Sequence, residues 1–438
     1  MRGWKEILFA ELLVESRDGE WGQGYEGVGY RLSEIIRGTD FSDLDDHSKE
    51  LPKRWIKDHL VERKRLCPGD LILETAGGTA KQSTGRSALL KKKFFELHKD
   101  NPVLCASFSR YLRIDKTKYI PEYIYYLLQA LYNTGYMAVY NLQHTGVSRF
   151  QYTVFKNKTK LKIPPIKTQE KIAAILCSYD DLIENNKRRI ALLEKMAEEI
   201  YREWFVRLRF PGHKKVKFKK GVPEGWEKVK LEKAFKFTGG GTPSKKLERY
   251  WTDGNVNWFT PSNITSSKGI FLENSANKCT EEGLYRSSAR LFPAYSVMMT
   301  SRATIGAIGI NTTPASTNQG FITCIPNDKC PLEFLYHWLK LSKPYFELLS
   351  GGATFAELTK TTFKRIEIVA PTTVLITRFA EKVAPLFKTI EILLKTNRTL
   401  TNTRDKLLSR LISGKLSVER FDIQPPPSMQ DEQDVAHA

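Results

Sequence analysis

The sequence predicts an α/β (α+β) chain with two domains of mixed short strands and helices. They are separated by two long helices that form an antiparallel coiled coil, and an internal pseudo-twofold duplication relates the halves. Three observations predict this: short stretches recur at long intervals, two segments carry heptads, and the segments between them are rich in Gly, Thr, Ser and aromatics with brief apolar runs.

The repeats come first because a long period means similar domains, not a solenoid. Gly3-Trp4-Lys5-Glu6 returns as Gly225-Trp226-Glu227-Lys228. Leu66-Cys67-Pro68-Gly69-Asp70-Leu71-Ile72 parallels Leu291-Phe292-Pro293-Ala294-Tyr295-Ser296-Val297. Tyr119-Ile120-Pro121-Glu122-Tyr123 parallels Lys329-Cys330-Pro331-Leu332-Glu333-Phe334 with a one-residue slip. Leu161-Lys162-Ile163-Pro164-Pro165 parallels Ile366-Glu367-Ile368-Val369-Ala370-Pro371.

The first long helix is expected over Thr168–Phe205. Ile172, Leu176, Tyr179, Ile183, Asn186, Ile190, Leu193, Ala197, Ile200 and Trp204 alternate spacings of four and three, a heptad seam. The second is expected over Leu375–Leu411, with Phe379, Val383, Leu386, Ile390, Leu393, Asn397, Leu400, Arg404, Leu407 and Leu411. Gly414 is its stop signal. Laid antiparallel with midpoints matched, Ile172 meets Leu411, Ile183 meets Leu400, Ile190 meets Leu393 and Trp204 meets Phe379. Asn186 then meets Asn397, a polar layer able to fix register, and Tyr179 meets Arg404 for a cation–π contact.

The expected boundaries are a first domain at 1–163, the central helix at 164–208, a basic linker at 209–229, a second domain at 230–369, the distal helix at 370–416 and a disordered acidic tail at 417–438. Short apolar runs such as Leu71–Leu73, Leu112–Ile114 and Phe321–Ile325 read as strands. Tyr123–Leu131 and Leu332–Leu341 read as helices. The strap Arg207–Lys220 carries seven basic residues.

Composition narrows the function. Lys and Arg number 69 against 49 Asp and Glu, a formal charge of +20, which points to a polyanionic partner, most economically nucleic acid. Met1–Glu20 carries charges throughout and reads as no secretory signal, and no stretch reads as a membrane span. The six cysteines form no CxxC pair and read as reduced cytoplasmic thiols, with no metal site. Gly22-Gln23-Gly24-Tyr25-Glu26-Gly27 fits GxGxxG literally but lacks the strand before and the helix after that a dinucleotide needs. There is no phosphate-binding GxxxxGK[ST] loop and no GxSxG, so no catalytic residue is assigned.

The polar loops are the candidate DNA contacts. Gly77–Ser87 packs Lys81, Gln82, Thr84 and Arg86 into one loop, and Thr300–Thr304 brings Arg302 and Thr304 to the equivalent place. Gln143, His144 and Arg149 follow in the first half, Asn318 and Gln319 in the second. Arg and Gln side chains match guanine and adenine edges, although most protein–DNA hydrogen bonds go to the backbone.

These residues resemble the DNA-specificity subunit of type I restriction–modification systems. The carriers are Ile163-Pro164-Pro165-Ile166-Lys167-Thr168-Gln169-Glu170-Lys171-Ile172-Ala173, Thr238-Gly239-Gly240-Gly241-Thr242-Pro243-Ser244, Ser316-Thr317-Asn318-Gln319-Gly320 and Leu407–Leu416. The second copy departs from the pattern, with one proline at Pro371 and Leu375-Ile376 where Gln-Glu would stand. The resemblance implies two target-recognition domains, each reading half of a split double-stranded DNA site, and a coiled coil that spaces them and docks two methyltransferase subunits. It also implies that this chain is non-catalytic and binds no cofactor. S-adenosylmethionine, ATP and Mg are expected on the partner subunits, which include restriction/translocase subunits where the system has them. Two other readings stand beside it: the specificity half of a fused or stand-alone adenine methyltransferase, and a coiled-coil adaptor.

Overall fold

The computed structural model describes residues 3–42, 44, 50–78, 82–144, 147–219, 221–351 and 356–430. The chain divides into two compact units, Met1–Asn185 with Asn397–Ala438, and Asn186–Thr396. Each long helix contributes to both. The helices run over Ile166–Tyr201 and Thr373–Ile412, and the first ends in a π-helical turn at Arg202–Val206.

In unit 1, Lys5–Leu8 pairs antiparallel with Lys160–Ile163. A four-stranded sheet runs Leu13–Asp18, Ser109–Ile114, Leu71–Glu74, Ser87–Leu89. Its strand Leu71–Glu74 is buried along its length, which explains the apolar run. A three-stranded sheet runs Lys53–Lys57, Tyr30–Ile36, Val103–Cys105, the last two parallel. The helix Pro121–Asn133 opens on proline at its first turn, where no backbone donor is lost, and buries Tyr123, Ile124, Leu127 and Leu128. Ile172 and Leu176 of the first long helix share one core with Leu408 and Leu411 of the second.

Unit 2 repeats the plan. Glu227–Lys230 pairs antiparallel with Glu367–Ala370. A five-stranded sheet runs Lys236–Gly239, Phe321–Ile325, Val297–Thr300, Ile308–Asn311, Phe271–Leu272, and its first four strands follow the order of the unit 1 sheet. The three-stranded sheet Asn277–Cys279, Val256–Phe259, Ala315–Thr317 likewise ends on a parallel pair. Ile190, Ala197 and Tyr201 share a core with Phe379, Val383, Ile390 and Leu393. The ring of Trp204 lies 5.9 Å from that of Phe379, the contact that the antiparallel heptad register requires.

The duplication extends to single backbone angles. Gly3 and Gly225 both take positive φ, +83° and +86°. Gly69 and Tyr295 do the same, +83° and +60°, and each donates its N–H across the sheet, to Leu90 O at 2.8 Å and Asn311 O at 2.7 Å. This corrects the sequence alignment by one residue: Tyr295 matches Gly69, not Asp70. The matched prolines Pro68 and Pro293 misled, because Tyr295 adopts a left-handed turn that normally calls for glycine.

Two further expectations change. Arg404 forms an ion pair with Asp180, one position beyond Tyr179, in place of the cation–π contact. Asp180 also accepts the Tyr126 hydroxyl at 2.5 Å. A carboxylate in a half-buried seam binds a guanidinium more strongly than a ring face does. The segment 417–430, expected to be disordered, packs against unit 1. Val418 and Met429 are 2% and 3% exposed and join the unit 1 core, with Leu416 and Ile423 against it. Lys171 Nζ donates to the carbonyls of Glu419 and Phe421 at 3.0 and 2.7 Å. Acidic composition outweighed these spaced apolar anchors in the sequence reading; residues 431–438 lie outside the described residues.

Candidate nucleic-acid interface

In unit 2, loops following four strands meet. The turn 318–320 leaves Ala315–Thr317, the loop 301–307 leaves Val297–Thr300, the glycine-rich run 240–244 leaves Lys236–Gly239, and a capped turn, Thr260 to Asn263, leaves Val256–Phe259. Backbone bonds tie them: Gly241 N to Thr317 O at 2.9 Å, Ser301 N to Gly320 O at 2.8 Å, and Asn318 N to Phe259 O at 3.1 Å. Gly240 is required, because a Cβ there would lie 2.0 Å from Asn318 O and 2.2 Å from Thr317 O. The glycine-rich and Ser316–Gly320 motifs are therefore two sides of one packing contact.

This scaffold presents the expected side chains. Gln319 is exposed, and its Oε1 accepts from Thr242 Oγ1 at 2.7 Å. Asn318 is half-buried and turned inward, its Oδ1 accepting from Gly320 N at 2.9 Å. Arg302 is exposed, with Nε 2.9 Å from Glu357 Oε1. Thr304 is exposed, and its carbonyl accepts the Thr300 hydroxyl.

Unit 1 builds the same scaffold from different residues. Glu20 N donates to Cys105 O at 2.8 Å, Thr75 N to Phe108 O at 2.8 Å, and Ala106 N to Ile36 O at 2.9 Å. The turn after Tyr30–Ile36 is closed by Asp40 Oδ2 accepting from Arg37 N at 2.8 Å, as Asn263 Oδ1 accepts from Thr260 N at 2.8 Å in unit 2. The turn 106–108 therefore matches 318–320. The sequence order sets Gln143, His144 and Arg149 beside Asn318 and Gln319; the backbone that matches 318–320 is 106–108.

The loop 75–86 and the hairpin 141–150 nevertheless come together. Arg149 pairs in register with Ala76, and Ser148 with Gly78. Arg149 is exposed and has no acidic partner among the described residues. Two of the expected loop residues have partners inside unit 1. Thr84 is fully buried and its hydroxyl donates to Asn141 Oδ1. Arg86 holds Glu74 with Nε at 2.9 Å and Nη2 at 2.6 Å, and reaches Gly38 O at 3.0 Å. Its hydrogen bonds to Glu74 raise its pKa further, so it stays charged and committed. Gln82 is exposed; with its amide oxygen turned toward Arg86 it accepts from Nε at 3.0 Å. Lys81 lies outside the described residues, as do the side chains of Gln143 and His144, whose backbones lie in the strand Asn141–His144.

Sequence reasoning missed Thr242, which orients Gln319, and Phe108, which is 63% exposed on the unit 1 turn. Aligning the turns after the parallel strands would have found both. The GxGxxG run opens no helix: Gly22 takes φ +67°, Gln23 bridges to Trp55, and the chain proceeds into the strand Tyr30–Ile36. Among the described residues no group of His, Cys, Asp and Glu could hold a metal ion, and no helix is long and apolar enough to cross a membrane.

The family model for the type I restriction modification DNA specificity domain matches residues 64–195 and 223–402, once in each repeat. The chain belongs to this type I specificity family. DNA sequence recognition is the role that membership carries. The chain is 26% identical over 436 residues to the putative type I restriction enzyme MjaX specificity subunit of Methanocaldococcus jannaschii, spanning 95% of this chain and 94% of that one. It is 26% identical over 361 residues to the HindI specificity subunit of Haemophilus influenzae, spanning 68% and 78%. To the MjaIX specificity subunit of M. jannaschii it is 36% identical over 152 residues, only 35% of that relative's length. The type I S subunit structure from M. genitalium superposes with a TM-score of 0.57 at 16% identity, over 93% of this chain and 96% of that one, and so shares the type I specificity fold.

Proposed function

We propose that this chain is the non-catalytic DNA-specificity subunit of a type I restriction–modification complex, each recognition domain reading one half of a bipartite double-stranded site. The observation that carries this reading is the doubled loop scaffold. One backbone arrangement occurs in each unit, with Gln319 and Arg302 exposed on one and Phe108 and Arg149 on the other. A shared frame with different side chains is what reading two different half-sites requires. The +20 charge supplies the non-specific attraction to phosphate.

The long helices act as spacers. At ~1.5 Å per residue, the 36-residue helix spans ~54 Å, against ~34–36 Å between half-sites one DNA turn apart. Buried Asn186, and Asn397, whose amide donates to Ile183 O at 3.3 Å, put polar groups in an apolar seam and select one register. Duplicated halves suit two copies of one methyltransferase partner. S-adenosylmethionine, with ATP and Mg where a restriction/translocase subunit is present, belongs to those partners in the cytoplasm.

The test is methylome sequencing of cells with and without this gene. An adenine-methylation motif of two short half-sites around a fixed gap should disappear with the gene. If every motif persists in cells that express the whole system, the reading is wrong.

A further inference from the structure

We propose that Phe108 is a specificity-determining residue of unit 1, reading a thymine through its C5 methyl group from the turn that matches the one on which unit 2 presents Gln319. This rests on the half-site reading above and assigns the chemistry of each half.

The turn 106–108 corresponds to 318–320 by three matched backbone bonds, which set Ser107 opposite Gln319 and Phe108 opposite Gly320, so the large side chain of unit 1 stands one residue further along the same backbone-bonded turn. Phe108 O accepts from Thr75 N at 2.8 Å and Ala76 N at 3.2 Å, and Ser109 N closes the turn on Ala106 O at 2.8 Å. Gly19 backs it as Gly240 backs its counterpart: a Cβ on Gly19 would meet Cys105 O at 2.2 Å and Ala106 O at 2.3 Å. A large apolar side chain held 63% exposed on a fixed turn is prepared to contact something, because a rigid element spends no ordering entropy on binding.

Its neighbours suggest what it contacts. Ala76, whose N–H is bonded to Phe108 O, pairs in register with exposed Arg149, so the backbones that carry a cation and an aromatic ring both border Ala76. In unit 2, Ser301, bonded to Gly320 O, precedes Arg302, which is exposed and paired with Glu357, and Gln319 precedes Gly320, so a guanidinium and Gln319 belong to the matching turn and its neighbour. The arginine is the common part and suits phosphate; the varied side chain carries the discrimination. Gln319, its Oε1 already holding Thr242, keeps a lone pair and an NH2 for adenine N6 and N7. Phe108 has no hydrogen-bonding group, and the one apolar feature a base edge offers in the major groove is the thymine methyl.

The experiment uses the full chain assembled with its methyltransferase subunits and a duplex pool with both half-sites randomised. Wild type should select a two-part motif; failure to select any would overturn the half-site reading itself. Given a motif, Gln319→Ala should relax one half and Phe108→Ala one T·A position in the other. Replacing that thymine by deoxyuridine removes only the methyl and should weaken wild-type binding roughly fourfold, while Phe108→Ala should not respond. Retention of the unit 2 half by Phe108→Ala shows that the variant is folded, and Phe108→Leu should keep part of the preference. If Phe108→Ala selects the unaltered motif, or still distinguishes thymine from deoxyuridine as wild type does, Phe108 does not read the base.

Discussion

Arg86 and Glu74 form a two-point pair inside unit 1, at 2.9 and 2.6 Å, with Glu74 only 5% exposed at its side chain. The arginine that the sequence offers as a base reader is therefore part of the loop's own frame. Arg86→Ala strands a buried carboxylate, which costs about 3 kcal/mol. The expected outcome is a lower urea midpoint with the selected DNA motif unaltered once the protein is folded. A changed motif at unaltered stability would return Arg86 to the DNA.

Arg149 should behave in the opposite way. It is exposed and without an acidic partner among the described residues, so Arg149→Ala leaves stability within ~0.5 kcal/mol. DNA affinity should fall about equally on all sequences, and the slope of log K against log salt should shrink by about 1. Binding isotherms at four salt concentrations measure it. An undiminished slope would remove Arg149 from the phosphate contacts.

Asp180 takes both the Arg404 guanidinium and the Tyr126 hydroxyl. Arg404→Ala removes the charge partner of a half-buried carboxylate and should cost about 2 kcal/mol, reduced from the fully buried case by solvent. Tyr126→Phe should cost about 1 kcal/mol. Because the two share one acceptor, the double variant should deviate from additivity by at least ~0.5 kcal/mol in chemical denaturation.

His337 is 1% exposed, stacked on Tyr201 at 5.4 Å, its Nδ1–H donating to Glu333 O at 2.7 Å. Burial holds its pKa down at about 4, against 6.5 in the unfolded chain. Between those values the unfolded state binds more protons, so stability falls as pH falls from 6.5 towards 4 and is unaffected by this group above 6.5. Unit 2 should lose about 2 kcal/mol by pH 5 from this residue. Tyrosine and tryptophan fluorescence during urea unfolding at pH 7 and pH 5 reads the loss, which His337→Phe should abolish.

The long helices and the duplication were legible because both are written as spacing. Heptads at Ile172 to Trp204 and Phe379 to Leu411 need no knowledge of distant partners. The loops were legible as places but not as roles. Nothing local to Arg86 reveals Glu74 twelve residues earlier or the Gly38 carbonyl, and nothing local to Thr84 shows that Asn141 buries it. Phe108 was passed over because an aromatic reads as core, and only its position on a fixed turn shows otherwise. Tyr295 was misaligned because a tyrosine with positive φ hides a turn that glycine would have announced.

The discontinuity of unit 1 has a consequence for synthesis. Its core needs Leu408, Leu411, Val418 and Met429, whereas unit 2 is one unbroken stretch, Asn186–Thr396. The half of the molecule that leaves the ribosome first is the last to close. At about 5–20 residues per second, the roughly 200 residues between its two pieces keep the Ile172 and Leu176 face uncovered for about 10–40 s on each nascent chain. Chaperone capture of ribosome-bound intermediates should therefore centre on ribosomes translating the codons for 186–396, and a chain truncated before Asn397 should leave that face uncovered and aggregate through it.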